Sequence, residues 1–355
     1  MTVAIASLND AVRPMRAYRY EKTGDLDNLR YTTVSQPTLG PGLALIKVQA
    51  TGVNLSDVVG ICGWLPFVTT PRVPGRDFAG VVTRVNDEEH QGWVGTEVWG
   101  TGGNVGFCQD GAWAEDIAAP VSALCKRPST LSATQAASVG LPWLCADLAV
   151  HRLARITSDD SVLIVGARGA IGSAAVQLCR KHGARSVFGT MSSTPVKAPT
   201  DYTPVDLSQT GRSTEQYAEL LKGLVGKVNV VIDAFGADYN ANLLNATLDV
   251  LQPGGRIVVM AAHDKTGMAK LNLRKLYAKG LTLHGLSSGQ VTQEGGARLL
   301  ERLSSGFEDG SLKCSQALHL VDFHDPQAVR NAIGGVYDRQ TKGKMRWEGI
   351  VGGRL

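Results

Sequence analysis

The stretch SVLIVGARGAIGSAAVQLCRKHGA, residues 161–184, restricts the folds open to this chain more than any other segment. Ser161–Val165 is a short apolar run. Gly166, Gly169 and Gly172 follow it, and Ile171–His182 has helical spacing that stops at Gly183. A chain that turns this sharply from strand to helix needs residues without a Cβ, and it leaves the first N–H groups of the helix unpaired at the positive end of the helix dipole. That is a site for a diphosphate, with Gly166, Ala167, Arg168, Gly169, Ala170, Ile171 and Gly172 as the expected contacts. In strict GxGxxG register the first place falls on Ala167, with Gly166 just before it. The plainer reading, a tight connection with no ligand, is disfavoured because the flanking strand, helix and second strand are all in place.

The rest of the chain agrees with that unit. Ser186–Thr190, Val228–Asp233 and Arg256–Met260 are continuous apolar runs of the kind found in buried parallel strands, and helical spacing alternates with them. The pattern predicts an α/β doubly wound parallel sheet. Before it, from Arg16 to about Ala119, come short β-rich runs (Leu43–Ala50, Phe78–Val85, Gly95–Trp99, Ala112–Ala118) separated by Gly, Pro, Asn and Asp, which predict an antiparallel, partly barrel-like unit. A helix capped by Ser132 joins the two. A helix over Gly296–Ser304, another opened by Asp325 and Pro326, and a strand-like KMRWEGIV close the chain.

Composition removes several function classes. The 36 basic and 32 acidic residues give a net charge of +4 with no like-charge run, so neither a nucleic-acid stripe nor a polybasic membrane anchor is expected. No apolar stretch reaches the roughly 18 residues of a membrane span, and the first residues lack a basic n-region. The six cysteines are scattered without a CxxC pair, and in a cytoplasmic chain they are expected to be free, buried thiols. The 41 glycines in 355 residues exceed the usual share of about 7 %.

Cofactor choice is read about 20 residues beyond the glycine turn, where a carboxylate would hold an adenosine 2′-hydroxyl. The sequence there is GTMSSTPVK, with no carboxylate before Asp201. Thr190, Ser192 and Ser193 offer hydroxyls and Lys197 a cation for a 2′-phosphate, which favours NADPH. As a plain solvated loop, the same cluster would leave the preference open.

Taken together, GVNLSD (52–57), PRVPGRDFAGVV (71–82), VGTEVWG (94–100), GAWAED (111–116), the VGARGAIG turn, VVIDAFG (230–236), LQPGGRIVVM (251–260), KGLTLHG (279–285) and a terminal GKM resemble the medium-chain dehydrogenase/reductases, in their zinc-independent quinone oxidoreductase and enoyl reductase branch. The resemblance covers nearly the whole chain after residue 16. It implies a GroES-like β-rich domain from 16–135 and 295–355, a Rossmann domain inserted at 136–294, an extension at 1–15, and a homodimer joined edge to edge. Zinc-dependent relatives place Cys where Asn54 stands and His where Arg76 stands, so no metal is expected. By the same resemblance Asn54 lies near the nicotinamide and orients a substrate carbonyl; an Asn in a turn is the plainer reading.

Relatives often carry Tyr in a GxYP segment; here the segment is GWLP, with Leu65 at that position. Trp64 is then a candidate pocket wall or a core residue, and Cys145 and His263 are further candidates for the pocket. His263 and His284 each fit a proton donor or a structural hydrogen-bonder. Asp57 and Asp77 read as scaffold carboxylates rather than proton donors, with a turn or cap residue as the plainer reading of each. The leading expectation is an NADPH-dependent reductase of an activated C=C bond in an enone, quinone or acyl-thioester substrate. A zinc-free carbonyl reductase, and an NADPH-binding sensor or structural subunit without turnover, are the alternatives.

Overall fold

The computed structural model describes residues 13–192, 200–237, 239–262, 265–314, 318–342 and 350–353. Six parallel strands form one sheet, in the order Thr203–Asp206, Ser186–Met191, Ser161–Val165, Val228–Asp233, Leu251–Val259, Thr282–Gly285. Chain order runs outward to one side from Ser161–Val165 and then outward to the other from Val228–Asp233. The two central strands therefore feed connections to opposite faces, and a crevice opens at their carboxyl ends.

Side-chain alternation explains why both faces are covered. Val162 and Ile164 point into the core beneath Ala133–Asp147 and Ala170–Lys181, whereas Leu163 and Val165 point into the core beneath Thr214–Leu224 and Asn242–Val250. Each such side chain contributes roughly 1.5–3 kcal/mol by leaving water. Ser132 caps the first of these helices, accepting from Gln135 N–H at 3.2 Å while Gln135 Oε1 accepts from Ser132 N–H at 2.9 Å.

The second sheet is mostly antiparallel and collects both ends of the chain: His319–Asp322, Ile350–Gly353, Leu43–Val53, Phe78–Val85, Glu97–Gly100 and Cys125–Lys126, with Asp116–Pro120 also paired to Leu43–Val53. These are the doubly wound and GroES-like architectures that the sequence implies, with some elements differing in extent. The N-terminal hairpin strand begins at Pro14, inside the expected extension, and Leu43–Ala50 continues to Val53. Ala112–Glu115 belongs to no strand, because Trp113 turns inward there to pack on Gly75. The helix expected at Gly296–Ser304 runs over Gln293–Glu308, and the one opened by Asp325 and Pro326 runs over Pro326–Lys342. Ser193, Lys197 and His263 lie outside the described residues. No helix among the described residues is long and apolar enough to cross a membrane. All six cysteines are free; four are buried, while Cys62 and Cys108 are half-exposed.

Candidate active site

Two groups of residues meet the crevice. On the parallel sheet, Gly166 turns the chain at φ +80° and its N–H donates to Thr190 Oγ1 at 2.9 Å, while Ala167 N–H donates to Thr190 O at 3.1 Å. Thr190, read from sequence as a cofactor contact, is thus buried and holds the turn in place. Gly169 caps the helix Ala170–Lys181. A Cβ on Gly172 would lie 2.1 Å from Gly166 O, so only glycine allows the helix to start this close to the strand. Arg168, Ala170 and Ile171 are half-buried, and Ser192 is exposed. Gly166, Ala167 and Gly169 spend their N–H groups inside the turn, and the positive dipole end of the helix Ala170–Lys181 that begins there fits a dinucleotide diphosphate.

Facing it, the antiparallel sheet carries a polar cluster built on Asp77. Arg76 and Asp77 follow Gly75, whose φ of +99° and contact with Trp113 exclude any side chain: a Cβ there would lie 2.2 Å from the indole. Asp77 is 1 % exposed, and its carboxylate accepts from Asn54 Nδ2 at 2.8 Å, Thr101 Oγ1 at 2.6 Å and Leu141 N–H at 2.9 Å. Burial pushes this carboxyl up, against the pull of those donors and of Arg76. Gly140 leaves it space, since a Cβ there would lie 2.3 Å from Asp77 Oδ1.

Asn54 precedes the helix Leu55–Ile61. Its own N–H donates to Asp57 Oδ2 at 2.8 Å, and its side-chain amide is spent on Asp77. The Asp77 carboxylate needs a donor, which fixes the amide nitrogen of this half-buried residue toward it, while its side chain also forms a capping box with Asp57. Asp57 is buried, one of its oxygens has no partner, and burial raises it to about 7.

Arg76 was noted in the sequence only as the residue that replaces a metal ligand. Its guanidinium is 1 % exposed, donates to Ser288 Oγ at 2.9 Å and Gly103 O at 3.2 Å, and lies over the Phe107 ring at 4.7 Å. Its contact to Ser288 crosses 212 positions, and no local pattern announces it. Cys145 is buried, its thiol pushed up to about 11 by burial against the opposing pull of Arg76 and of a hydrogen bond from Ser288. It therefore stands as a neutral group in the cluster and lacks the thiolate a nucleophile needs. Trp64 is half-buried and meets Tyr337 edge-on at 6.0 Å, against the helix Pro326–Lys342; Leu65 is also half-buried. His284 lies within the edge strand Thr282–Gly285.

A parallel sheet with a glycine turn at its switch point, set against a β-rich sheet made from both chain ends, defines a two-domain protein of the dinucleotide-fold class. The alcohol dehydrogenase GroES-like domain matches residues 40–129 and the zinc-binding dehydrogenase domain residues 170–305. A zinc-type alcohol dehydrogenase-like protein of Schizosaccharomyces pombe is 33 % identical over 85 % of this chain and 87 % of its own, and the quinone oxidoreductase of Mus musculus is 30 % identical over 84 % and 88 %. The crystal structure of an alcohol dehydrogenase superfamily protein from Novosphingobium aromaticivorans superposes with a TM-score of 0.79 at 24 % identity, covering 96 % of this chain and 100 % of that one. The chain belongs to the medium-chain dehydrogenase/reductase superfamily, in its quinone oxidoreductase and enoyl reductase branch, a family of oxidoreductases that use a nicotinamide cofactor.

Proposed function

We propose that this protein reduces an activated C=C bond, in an enone, a quinone or an enoyl thioester, with NADPH as hydride donor and without a metal. The observation that carries the reading is the pairing of Asn54 with buried Asp77 beside the Arg76 guanidinium. An amide that donates to a carboxylate and an arginine that is always cationic are poor metal ligands and repel a divalent ion, so the donor set does not fit zinc. The same set suits a substrate whose oxygen gains negative charge as the reaction proceeds.

When bound, the nicotinamide supplies the hydride. Residues 166–172 would hold the diphosphate, and Asn54, locked by Asp77, would orient the substrate carbonyl. Leu65 offers no phenolic acid, and an enolate, a weaker base than an alkoxide, takes its proton from solvent without one. NADPH is favoured over NADH by the lack of a carboxylate at the end of Ser186–Met191, and a mycobacterial protein of the same fold, 24 % identical, was solved with NADPH. We place the protein in the cytoplasm, where its six free thiols would stay reduced, and take it to be a homodimer.

The test is a panel of enones, quinones, aldehydes and ketones offered to the purified protein with NADPH or NADH while nicotinamide absorbance is followed. Oxidation of NADPH by the alkenes and quinones is expected. Turnover confined to aldehydes and ketones, or cofactor binding with no turnover, would reject the reading.

A further inference from the structure

Leu65 leaves the proposed reaction without a phenolic hydroxyl at the substrate oxygen, and the polar cluster contains another hydroxyl suited to stand beside Asn54 there. Ser288 opens the short turn Ser288–Gln290, just beyond the carboxyl end of the strand Thr282–Gly285. Leu286 N–H donates to Val259 O at 2.9 Å, continuing the parallel ladder one rung past Gly285, and two residues on Ser288 reaches Arg76. Ser288 is half-buried, so its hydroxyl can meet a ligand, whereas Arg76 behind it is sealed off.

The direction of the hydrogen bonds matters. Arg76 Nη1 donates to Ser288 Oγ at 2.9 Å, and a guanidinium has no acceptor, so the Ser288 proton must point elsewhere. Cys145 is its neighbour, and a thiol is a weak acceptor, so a substrate oxygen can take this donor at little cost. Arg76 also has no carboxylate within salt-bridge distance among the described residues, and its Nε is buried without a partner. The cation acts through space on buried Asp57 and Asp77 and, through Nη1, directly on Ser288, and a charge-assisted bond into a hydroxyl strengthens that hydroxyl as a donor.

We propose that Ser288 is the catalytic hydrogen-bond donor to the substrate carbonyl or quinone oxygen, and that Arg76 is the positioning residue that polarises it. As hydride bonds to the β-carbon, the C=C pair moves to join Cα to the carbonyl carbon and the carbonyl pair moves onto oxygen. Ser288 donates to that enolate oxygen and keeps its proton, and a solvent proton then adds to Cα. This assignment rests on the C=C reductase reading and selects for substrates whose alkene is conjugated to an oxygen.

The experiment compares wild type, Ser288→Ala, Ser288→Thr, Arg76→Met and the Arg76→Met/Ser288→Ala double variant, with NADPH and either 2-cyclohexen-1-one or 1,4-benzoquinone. Ser288→Ala is expected to lower kcat on the enone about 10²- to 10³-fold with KM and the NADPH Kd nearly unchanged. The loss should be smaller on the quinone, whose product anion is intrinsically more stable. Ser288→Thr, which keeps the hydroxyl, should recover most of the rate. Arg76→Met should cost rate in the wild-type background and almost nothing further in Ser288→Ala. Full kcat in Ser288→Ala, no rescue by Ser288→Thr, or losses that multiply in the double variant would overturn the assignment. If the wild type oxidises NADPH with neither substrate, the reductase reading itself fails and this assignment falls with it; wild-type turnover untouched by Ser288→Ala sinks the assignment alone.

Discussion

Asp57 is where single-residue physics is most exposed to measurement. Its carboxyl sits at about 7 in the folded chain because burial outweighs the hydrogen bond from Asn54 N–H. Between an unfolded value near 4 and that folded value, the native state holds a proton that the unfolded chain has lost. The contribution is therefore fully present below pH 4 and is lost as pH rises through 7, by roughly 2–4 kcal/mol. Asp57→Asn keeps an oxygen for the Asn54 N–H and has no proton to lose, so urea midpoints between pH 5 and 8 should vary less with pH than in wild type. An unchanged pH profile would mean that Asp57 is ionised throughout. Gly140 supplies a second check. An exposed helical Gly→Ala change gains about 1 kcal/mol. Here the new methyl would meet Asp77 Oδ1 at 2.3 Å, and overpacking costs about 1–3 kcal/mol. Strain should win: Gly140→Ala is expected to lower the melting temperature and, by moving Asp77, the anchor of Asn54, to lower kcat as well.

At the scale of elements, the glycine turn was legible because its constraints are local. Gly166, Gly169 and Gly172 stand at the spacing that a strand–turn–helix requires, and the structure puts each at its expected point. The runs Phe78–Val85 and Val228–Asp233 were legible for the same reason, the first as a short β-rich run and the second as an almost continuously buried one. The role of Thr190 was hidden: its hydroxyl faces back to Gly166 across 24 positions, a contact that only the pairing of Ser161–Val165 with Ser186–Met191 creates. Ser288 and Thr101 escaped notice likewise, because each gains meaning from a partner on another element, Arg76 or Asp77. Thr190→Val tests this directly. It keeps the shape and removes the acceptor of a partly buried N–H, which costs about 1 kcal/mol. Part of that cost should surface as a NADPH Kd weakened up to about fivefold in a fluorescence titration, together with a lower melting temperature. Weaker binding at an unchanged melting temperature would instead make Thr190 a direct cofactor contact.

At the scale of the whole molecule, the six-stranded sheet ends abruptly. Among the described residues Thr282–Gly285 pairs on one side only, with Leu251–Val259, and presents a row of backbone donors and acceptors on the other. Edge strands are usually blunted or covered, because they pair readily with another chain. The surroundings here are apolar instead: Tyr277 is 70 % exposed, Leu273 65 % and Leu283 43 %. A second copy related by a twofold axis would cover edge and apolar flank together, since such an interface sets the same surface against itself. Sedimentation velocity should accordingly find two copies of the 37.6 kDa chain. Leu283→Lys, which puts a charge on the edge, should shift the population to monomer. The glycine turn and the Asp77 cluster both come from a single chain, so the Leu283→Lys monomer should still bind NADPH. A dimer that persists in Leu283→Lys would place the interface elsewhere, and a monomer that has lost NADPH would mean that the partner copy helps to shape the crevice.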